Sequence, residues 1–221
     1  KQEEKIMIKE INIGCASTKT KYGKRLDTTI VELNPSAKLS GLFTSNKFKS
    51  APVQVCLNQI KTKMKGKKML IINAGNANAA TGEAGIRDTN KLIKNISALS
   101  GLPSNQILPF STGVVGELLD MKSLTPAFSE CFKNLKKSSW DDFATAIMTT
   151  DTKNKLVKLT GKVGSKKDQI IGIAKGVGMI EPNMATTLSY VFTDLKLPEN
   201  ILKKLQKKIC DHTFNAISID G

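Results

Sequence analysis

The sequence of 221 residues has a single histidine and few arginines and aromatic residues. His212 is the only histidine, which argues against a histidine-rich metal site and against a serine–histidine–aspartate triad. The four cysteines, Cys15, Cys56, Cys131 and Cys210, are widely spaced and include no Cys-x-x-Cys pair. Neither a zinc site nor a disulfide framework is therefore expected, and we expect buried thiols. No metal ion or organic cofactor is expected.

The sequence also lacks an apolar run long enough to span a bilayer and the pattern of a secretory signal peptide. Its 40% of hydrophobic and 24% of charged residues are ordinary for a globular protein large enough to bury a core. These features predict a cytoplasmic protein of one or two domains that does not bind membranes.

The formal net charge of +15 comes almost entirely from lysine. A basic chain can bind nucleic acid through its phosphates, so a lysine-rich nucleic-acid-binding protein is one hypothesis. Specific nucleic-acid readers favour arginine forks and stacking aromatic rings, and both are scarce here. A solvated lysine surface is the favoured interpretation. The lysines cluster in four stretches: 61–68, 133–137, 153–167 and 203–208.

Periodicity predicts a mixed fold in which strands and helices do not alternate strictly, which indicates layered α+β packing. Strands are predicted at Lys5–Ile13, Thr28–Leu33, Met69–Asn73, Leu156–Leu159, Ile170–Ala174 and Leu188–Thr193. Helices are predicted at Ala84–Ser100, Thr125–Leu135, Trp140–Met148 and Glu199–Thr213. A polar hairpin turn is predicted at Lys162–Asp168.

The stretch 174–187, AKGVGMIEPNMATT, places a hydroxyl group directly after a small residue in a segment rich in glycine. A threonine hydroxyl needs a base to act as a nucleophile. If the Thr186 hydroxyl attacks the carbonyl of Ala185, an N-to-O acyl shift and hydrolysis free the α-amine of Thr186, which can then serve as that base. The alternative is a glycine-rich turn that leads into a strand.

Two further stretches contain small and polar residues next to apolar runs. The stretch 108–116 looks like the end of a strand. In its Ser111-Thr112-Gly113, backbone N–H groups and a hydroxyl are suitable donors to the oxyanion of acyl transfer, although a helix cap or a turn explains the same residues. The loop at 73–82 carries asparagines that can hold turns or bind a ligand. It matches neither the dinucleotide fingerprint nor the Walker spacing, so a nucleotide site is rejected.

Several motifs in order make the sequence resemble, nearly end to end, the ornithine acetyltransferases of arginine biosynthesis, also called bifunctional glutamate N-acetyltransferase/amino-acid acetyltransferase. The motifs are Phe43-Thr44-Ser45-Asn46 with Ala51-Pro52-Val53, the loop Asn73–Asp88, Ser111-Thr112-Gly113-Val114-Val115-Gly116, Thr149-Thr150-Asp151-Thr152, Ala174-Lys175-Gly176-Val177-Gly178-Met179-Ile180 and Pro182-Asn183-Met184-Ala185-Thr186.

The resemblance implies an α/β/β/α arrangement and a precursor that cleaves itself between Ala185 and Thr186. Residues 1–185 would form an α segment, and residues 186–221 would begin a β segment whose remainder follows Gly221. The chain is accordingly expected to be part of a longer protein, with further substrate-binding residues beyond its last position. The α and β chains would associate, as a heterotetramer of two of each.

The resemblance also implies a role for individual residues. Thr186 would be the nucleophile and a substrate-binding residue, and Thr112 with Gly113 would form the oxyanion hole. Thr149 and Lys175 would bind substrate. For Lys175 the alternative is a solvated surface lysine, and for Thr149 it is an ordinary strand or turn residue.

The reaction implied is ping-pong acyl transfer from N-acetylornithine to glutamate through an acetyl-threonine ester. A bifunctional member of the family also accepts acetyl-CoA as donor. An N-terminal-nucleophile aminopeptidase, which cleaves itself in a similar way but hydrolyses short peptides, is the alternative within the same superfamily.

Overall fold

The computed structural model describes residues 8, 11–62, 64–178, 180 and 187–220. The strands are β1 (Ile11–Ala16), β2 (Thr28–Leu33), β3 (Lys68–Asn76), β4 (Ile107–Val114), β5 (Lys155–Val163), β6 (Lys166–Lys175) and β7 (Leu188–Thr193). The α-helices are α1 (Ala51–Ile60), α2 (Gly82–Ser100), α3 (Met121–Lys133), α4 (Trp140–Ala146) and α5 (Glu199–His212). Within this part of the chain, no helix has both the length and the apolar character needed to cross a membrane.

The first sheet has the strand order β1-β2-β3-β4, in which β3 and β4 run parallel and the other neighbours run antiparallel. In β3 the residues from Lys68 to Gly75 are buried without alternation. A strand buried on both faces reads as a continuous apolar run, which explains the sequence Met-Leu-Ile-Ile at 69–72. The sheet must therefore be covered on both sides.

Helices α2 and α3 cover one face of the first sheet, and the second sheet covers the other. Helix α1 contributes Val55 to the core on the helix side of this sheet and Cys56 to the core between the two sheets. Alternate β3 residues separate into the two cores: Met69 and Ile71 pack with the helices, whereas Leu70 and Ile72 pack towards the second sheet. Helix α3 begins where local chemistry predicts, because the Asp120 carboxylate accepts the backbone N–H groups of Lys122 and Ser123 in its first turn. The layers are thus helix, sheet and sheet.

The second sheet is antiparallel with the order β5-β6-β7. Its inner face contributes Ile171, Ile173, Tyr190 and Phe192 to the core between the sheets, and Phe143 of α4 packs against both aromatic rings. Its outer face carries the exposed side chains of Val157, Leu159 and Val191.

The prediction of an α+β fold is confirmed, and every predicted strand and helix overlaps a described one. The first strand differs most, because β1 begins at Ile11 and continues to Ala16 while residues 5–7 and 9–10 lie outside the described residues. The hairpin predicted at 162–168 is mostly strand, with its turn at Gly164 and Ser165.

Helix α1 was not predicted, and of strand β4 only an end near Ser111-Thr112-Gly113 was expected, without bounds. Helix α1 is short and has a proline at its start, which is favourable at a first-turn position but reads as a helix breaker in sequence. Strand β4 contains Pro109 and Gly113, both of which count against a strand. The sheet nevertheless holds β4 in register beside β3.

Candidate active site at the ends of β3, β4 and β6

The parallel strands β3 and β4 end at the same edge of the first sheet, where Gly75 lies opposite Gly113. Gly113 has φ +135°, and a Cβ atom at this position would lie 2.2 Å from the carbonyl carbon of Gly75. Only glycine permits this approach of two backbones. Thr112 is buried beside it. The Thr112–Gly113 pair therefore lies in a strand, and the helix-cap and simple-turn interpretations are wrong.

The asparagine loop after β3 serves mainly to hold this edge together. Ser111 Oγ donates to Asn73 Oδ1 at 2.6 Å, and Asn73 Nδ2 donates to the carbonyl of Asn76 at 2.9 Å. The buried Asn78 donates from Nδ2 to Thr89 Oγ1 at 2.8 Å in the first half of α2. These side chains hold the turn, so the structure favours their structural role over the binding of a ligand.

The loop between β1 and β2 packs against the same edge. Lys21 Nζ donates to the carbonyl oxygen of Gly75 at 3.2 Å. The Tyr22 ring lies close to Gly75, because a Cβ atom added to Gly75 would be 3.3 Å from Cε2 of that ring. The Arg25 guanidinium lies 3.7 Å from the centroid of the Tyr22 ring, in cation–π geometry. Neither Tyr22 nor Arg25 was predicted from the sequence.

Arg25 connects this loop to the segment after α4. Its Nη2 atom donates to the carbonyl oxygen of Met148 at 2.9 Å, directly before Thr149. The backbone N–H of Thr149 in turn donates to Asp151 Oδ2 at 3.3 Å. Thr149 thus lies in a bend after α4, and this bend belongs to the same network of contacts as the Gly75–Gly113 edge.

Asp151 is a buried carboxylate at the centre of the network. Oδ1 accepts hydrogen bonds from Lys155 Nζ at 2.5 Å and from the backbone N–H of Gly176 at 2.8 Å. Burial by itself would raise the pKa of Asp151, but the hydrogen bonds from Lys155, Gly176 and Thr149 outweigh it and hold the pKa below its usual value. Asp151 is therefore ionised at neutral pH.

Lys175, the last residue of β6, is 7% exposed, so its interpretation as a solvated surface lysine is wrong. Desolvation lowers the pKa of Lys175; the charge of Asp151 opposes this effect and that of Lys155 reinforces it. Among the described residues, none forms a hydrogen bond or ion pair with the Lys175 ammonium group. A buried cation of this kind is a suitable partner for a carboxylate ligand.

The hydroxyl of Thr187 donates to the carbonyl oxygen of Lys175 at 2.8 Å, and β7 then pairs with β6 from Leu188 onwards. Ala185 and Thr186 lie outside the described residues. Thr187, which follows the predicted nucleophile Thr186, is thus hydrogen-bonded to the end of β6. That strand end carries Lys175, the predicted substrate-binding lysine.

The structure brings Thr112, Gly113, Thr149 and Lys175 into one network of contacts, although they are far apart in sequence. The residues that connect them are Tyr22, Arg25 and Asp151. Asp151 stood inside a motif that the sequence analysis used, whereas Tyr22 and Arg25 belong to no motif. Arg25 is one of only two arginines, which was the single signal that could have drawn attention to it.

Comparison with known proteins places this architecture in a family. The chain is 40% identical to the arginine biosynthesis bifunctional protein ArgJ of Colwellia psychrerythraea, over 97% of this chain and 53% of that protein. The chain spans about half the length of the curated relatives it matches.

Two solved structures share the fold. The ArgJ crystal structure from Bacillus halodurans has a TM-score of 0.69 and 31% identity, over 80% of this chain and 92% of the solved chain. The ornithine acetyltransferase of Mycobacterium tuberculosis, solved in complex with ornithine, has a TM-score of 0.65 and 27% identity, over 80% of this chain and 93% of the solved chain.

The model of the ArgJ family matches residues 12–221, which is nearly the whole chain. The match of sequence and the shared fold agree with each other. The chain therefore belongs to the ArgJ family.

Proposed function

We propose that this chain is the N-terminal part of a self-activating threonine acyltransferase that moves an acetyl group from N-acetylornithine to glutamate. Family membership supports the reaction class, and the Mycobacterium tuberculosis ornithine acetyltransferase was solved with ornithine bound. The observation that carries the proposal is the convergence of the Thr112–Gly113 strand end with Lys175 and Thr187 through one network of contacts.

Activation would begin with attack of the Thr186 hydroxyl on the carbonyl carbon of Ala185. The peptide C–N bond breaks as the ester C–O bond forms, and water then hydrolyses the ester to leave a new carboxylate on Ala185 and a free α-amine on Thr186. The hydrogen bond from Thr187 to Lys175 supports this proposal, because it fixes the chain directly after the scissile bond.

The length of the solved relative agrees with a cleaved precursor. The aligned region makes up 80% of this chain and 92% of the Bacillus halodurans chain. The solved chain is therefore shorter than this one, and its length is close to that of segment 1–185. Self-cleavage at Ala185–Thr186 would produce an α chain of this length. In the proposal, the β chain begins at Thr186 and the two chains assemble as a heterotetramer.

In the transfer reaction, the Thr186 α-amine takes the proton of its hydroxyl as the oxygen attacks the acetyl carbonyl. Ornithine leaves with that proton, and the acetyl-threonine ester then reacts with the amine of glutamate in the reverse sequence. The backbone N–H of Gly113 and the Thr112 hydroxyl are proposed to stabilise each oxyanion. Lys175 is proposed to bind the substrate carboxylate, and Thr149 its polar groups.

This chemistry requires no metal ion or organic cofactor. We propose that the protein acts in the cytoplasm on small-molecule substrates and does not act on nucleic acid. Acetyl-CoA is a further candidate donor, which a direct assay with that donor would decide.

Intact mass spectrometry of the full-length protein and of its Thr186→Ala variant tests the activation step. We expect two chains separated between Ala185 and Thr186 for the wild type, and one uncleaved chain for the variant. A wild type that stays whole after folding would refute the threonine mechanism.

Transfer is tested by incubating the cleaved protein with labelled N-acetylornithine and glutamate. We expect labelled N-acetylglutamate in preference to free acetate. Release of free acetate without transfer, together with hydrolysis of short peptides, would instead identify an aminopeptidase. Binding to generic DNA that weakens steeply with salt would identify a nucleic-acid-binding protein.

A further inference from the structure

We propose that Asp151 is a positioning residue that holds Thr149 and Lys175 at a fixed distance, so that the two together bind an amino-acid substrate. The inference rests on the proposed function, because it concerns the same site. Asp151 does not itself contact the substrate in this proposal. It acts through the two segments that its carboxylate joins.

Asp151 lies between two short segments of the chain. Thr149 lies beyond the end of α4, and Gly176 lies beyond the end of β6, so neither is held by the hydrogen bonds of a helix or sheet. Asp151 accepts the backbone N–H of Thr149 with Oδ2 and that of Gly176 with Oδ1. One carboxylate therefore connects Thr149 and Gly176 just beyond the last β5–β6 pair, which is Lys155 with Ala174.

Asp151 uses both of its carboxylate oxygens. The side chain of Asp151 is 1% exposed, and three donors from Thr149, Lys155 and Gly176 surround it. An asparagine has only one acceptor oxygen. If this oxygen stays with Gly176 and Lys155, the amide NH₂ group faces the N–H of Thr149, and two donors are opposed. An Asp151→Asn change thus breaks the link to Thr149 first.

Asp151 interacts differently with the two nearby lysines, Lys155 and Lys175. Lys155, whose side chain is 46% exposed, forms the direct ion pair with Asp151 at 2.5 Å. Lys175 is buried, and Asp151 influences it through space. The carboxylate therefore supports the charge of Lys175 while the direct bond goes to Lys155, so among the described residues no direct bond competes with a ligand for the Lys175 ammonium group.

The test compares full-length Asp151→Asn with Asp168→Asn. Asp168 is also buried and paired with a lysine, but it lies at the opposite end of β6, roughly 20 Å from Lys175 at about 3.3 Å per residue. Steady-state kinetics are measured on the cleaved fraction of each protein. For Asp151→Asn we expect the KM for glutamate and for N-acetylornithine to rise about tenfold or more, with kcat changed much less. Asp168→Asn should keep both KM values.

A second variant, Asp151→Glu, tests whether the negative charge alone is enough. Asp151→Glu keeps the charge near Lys175, but its longer side chain shifts the carboxylate from the two amides, so its KM should remain raised. A KM within about twofold of wild type in either Asp151 variant would overturn the proposal. Loss of folding in both variants, while Asp168→Asn folds normally, would also overturn it, because the role of Asp151 would then be structural.

Wild-type activity distinguishes this proposal from the proposed function. If the wild type cleaves itself but transfers no acetyl group, the proposed function fails. If the wild type is active and the Asp151 variants keep its KM values, the positioning role alone fails.

Discussion

The hydroxyl of Thr187 donates a 2.8 Å hydrogen bond to the carbonyl oxygen of Lys175. The bond joins the residue after the proposed nucleophile to the proposed substrate-binding lysine, across twelve positions of sequence. Self-cleavage would cut the chain just before Thr186, but the bond and the β6–β7 pairing join residues on either side of the cut. The site can therefore keep its geometry when the covalent connection is lost.

The close approach of Gly113 to Gly75 predicts a large effect of Gly113→Ala. The added Cβ atom would lie 2.2 Å from the Gly75 carbonyl carbon, and φ +135° is unfavourable for alanine. We expect a loss of about 3 kcal/mol or more in the free energy of unfolding, measured by urea denaturation. Gly116→Ala is the control, because φ is +87° there but the added atom would meet nothing within 4 Å. Equal losses in the two variants would contradict the argument.

Burial of Lys175 predicts opposite effects of Lys175→Met on stability and activity. The methionine removes a desolvated charge from a site where it is 7% exposed, so the melting temperature should stay the same or rise. The KM for glutamate should rise about 10- to 100-fold, since a hydrogen bond to a charged group contributes about 1.5–3 kcal/mol. Lys162→Met, at an exposed position, should change neither quantity. A fall in stability with unchanged KM would refute the substrate role.

The pKa of Lys175 predicts a pH dependence of substrate affinity. Desolvation lowers this pKa from its usual value, so Lys175 loses its proton at a lower pH than an exposed lysine. Its positive charge is present below the lowered pKa and disappears as the pH rises through it. The KM for glutamate should therefore rise in alkaline solution before ordinary lysines titrate. Lys175→Arg should remove this rise, because a guanidinium stays charged. A KM for glutamate that stays constant as the pH rises to the usual pKa of lysine would contradict the prediction.

The contacts across the proposed cleavage site predict that the two chains stay together. Residues 188–193 pair with β6, Ser40 Oγ donates to Gln206 Oε1 at 2.5 Å, and Lys38 Nζ donates to the carbonyl of Leu197 at 2.8 Å. The cleaved full-length protein should therefore elute as one species in native size-exclusion chromatography and separate into two chains in denaturant. Two species under native conditions would refute this.

The buried cysteines predict low thiol reactivity in the folded protein. Burial raises the pKa values of Cys15 and Cys56 to about 12, so few of these thiols are ionised at neutral pH. A thiol reagent such as DTNB should modify Cys15, Cys56 and Cys131 only after urea unfolds the chain. Rapid modification of the native protein would contradict their burial.

Much of the fold could be predicted because local pattern and tertiary environment agree. The apolar spacing of α2, the alternation in β7 and the proline before α5 each indicate the element that forms. The prediction was incomplete where tertiary contacts overrule local preference, since only an end of β4 was expected. Strand β4 forms despite Pro109 and Gly113, because pairing with β3 fixes its register and Gly113 is required by the approach of Gly75.

The sequence by itself determined the α+β class, the chemistry available at Thr112, Gly113, Thr149 and Lys175, and the motifs that identify the family. These depend on residue type and local order, which a linear chain displays directly. Only the tertiary structure decided that Lys175 is buried and that Tyr22, Arg25 and Asp151 connect the site. Burial and contacts between distant segments arise when strands and loops pack, so no local pattern contains them.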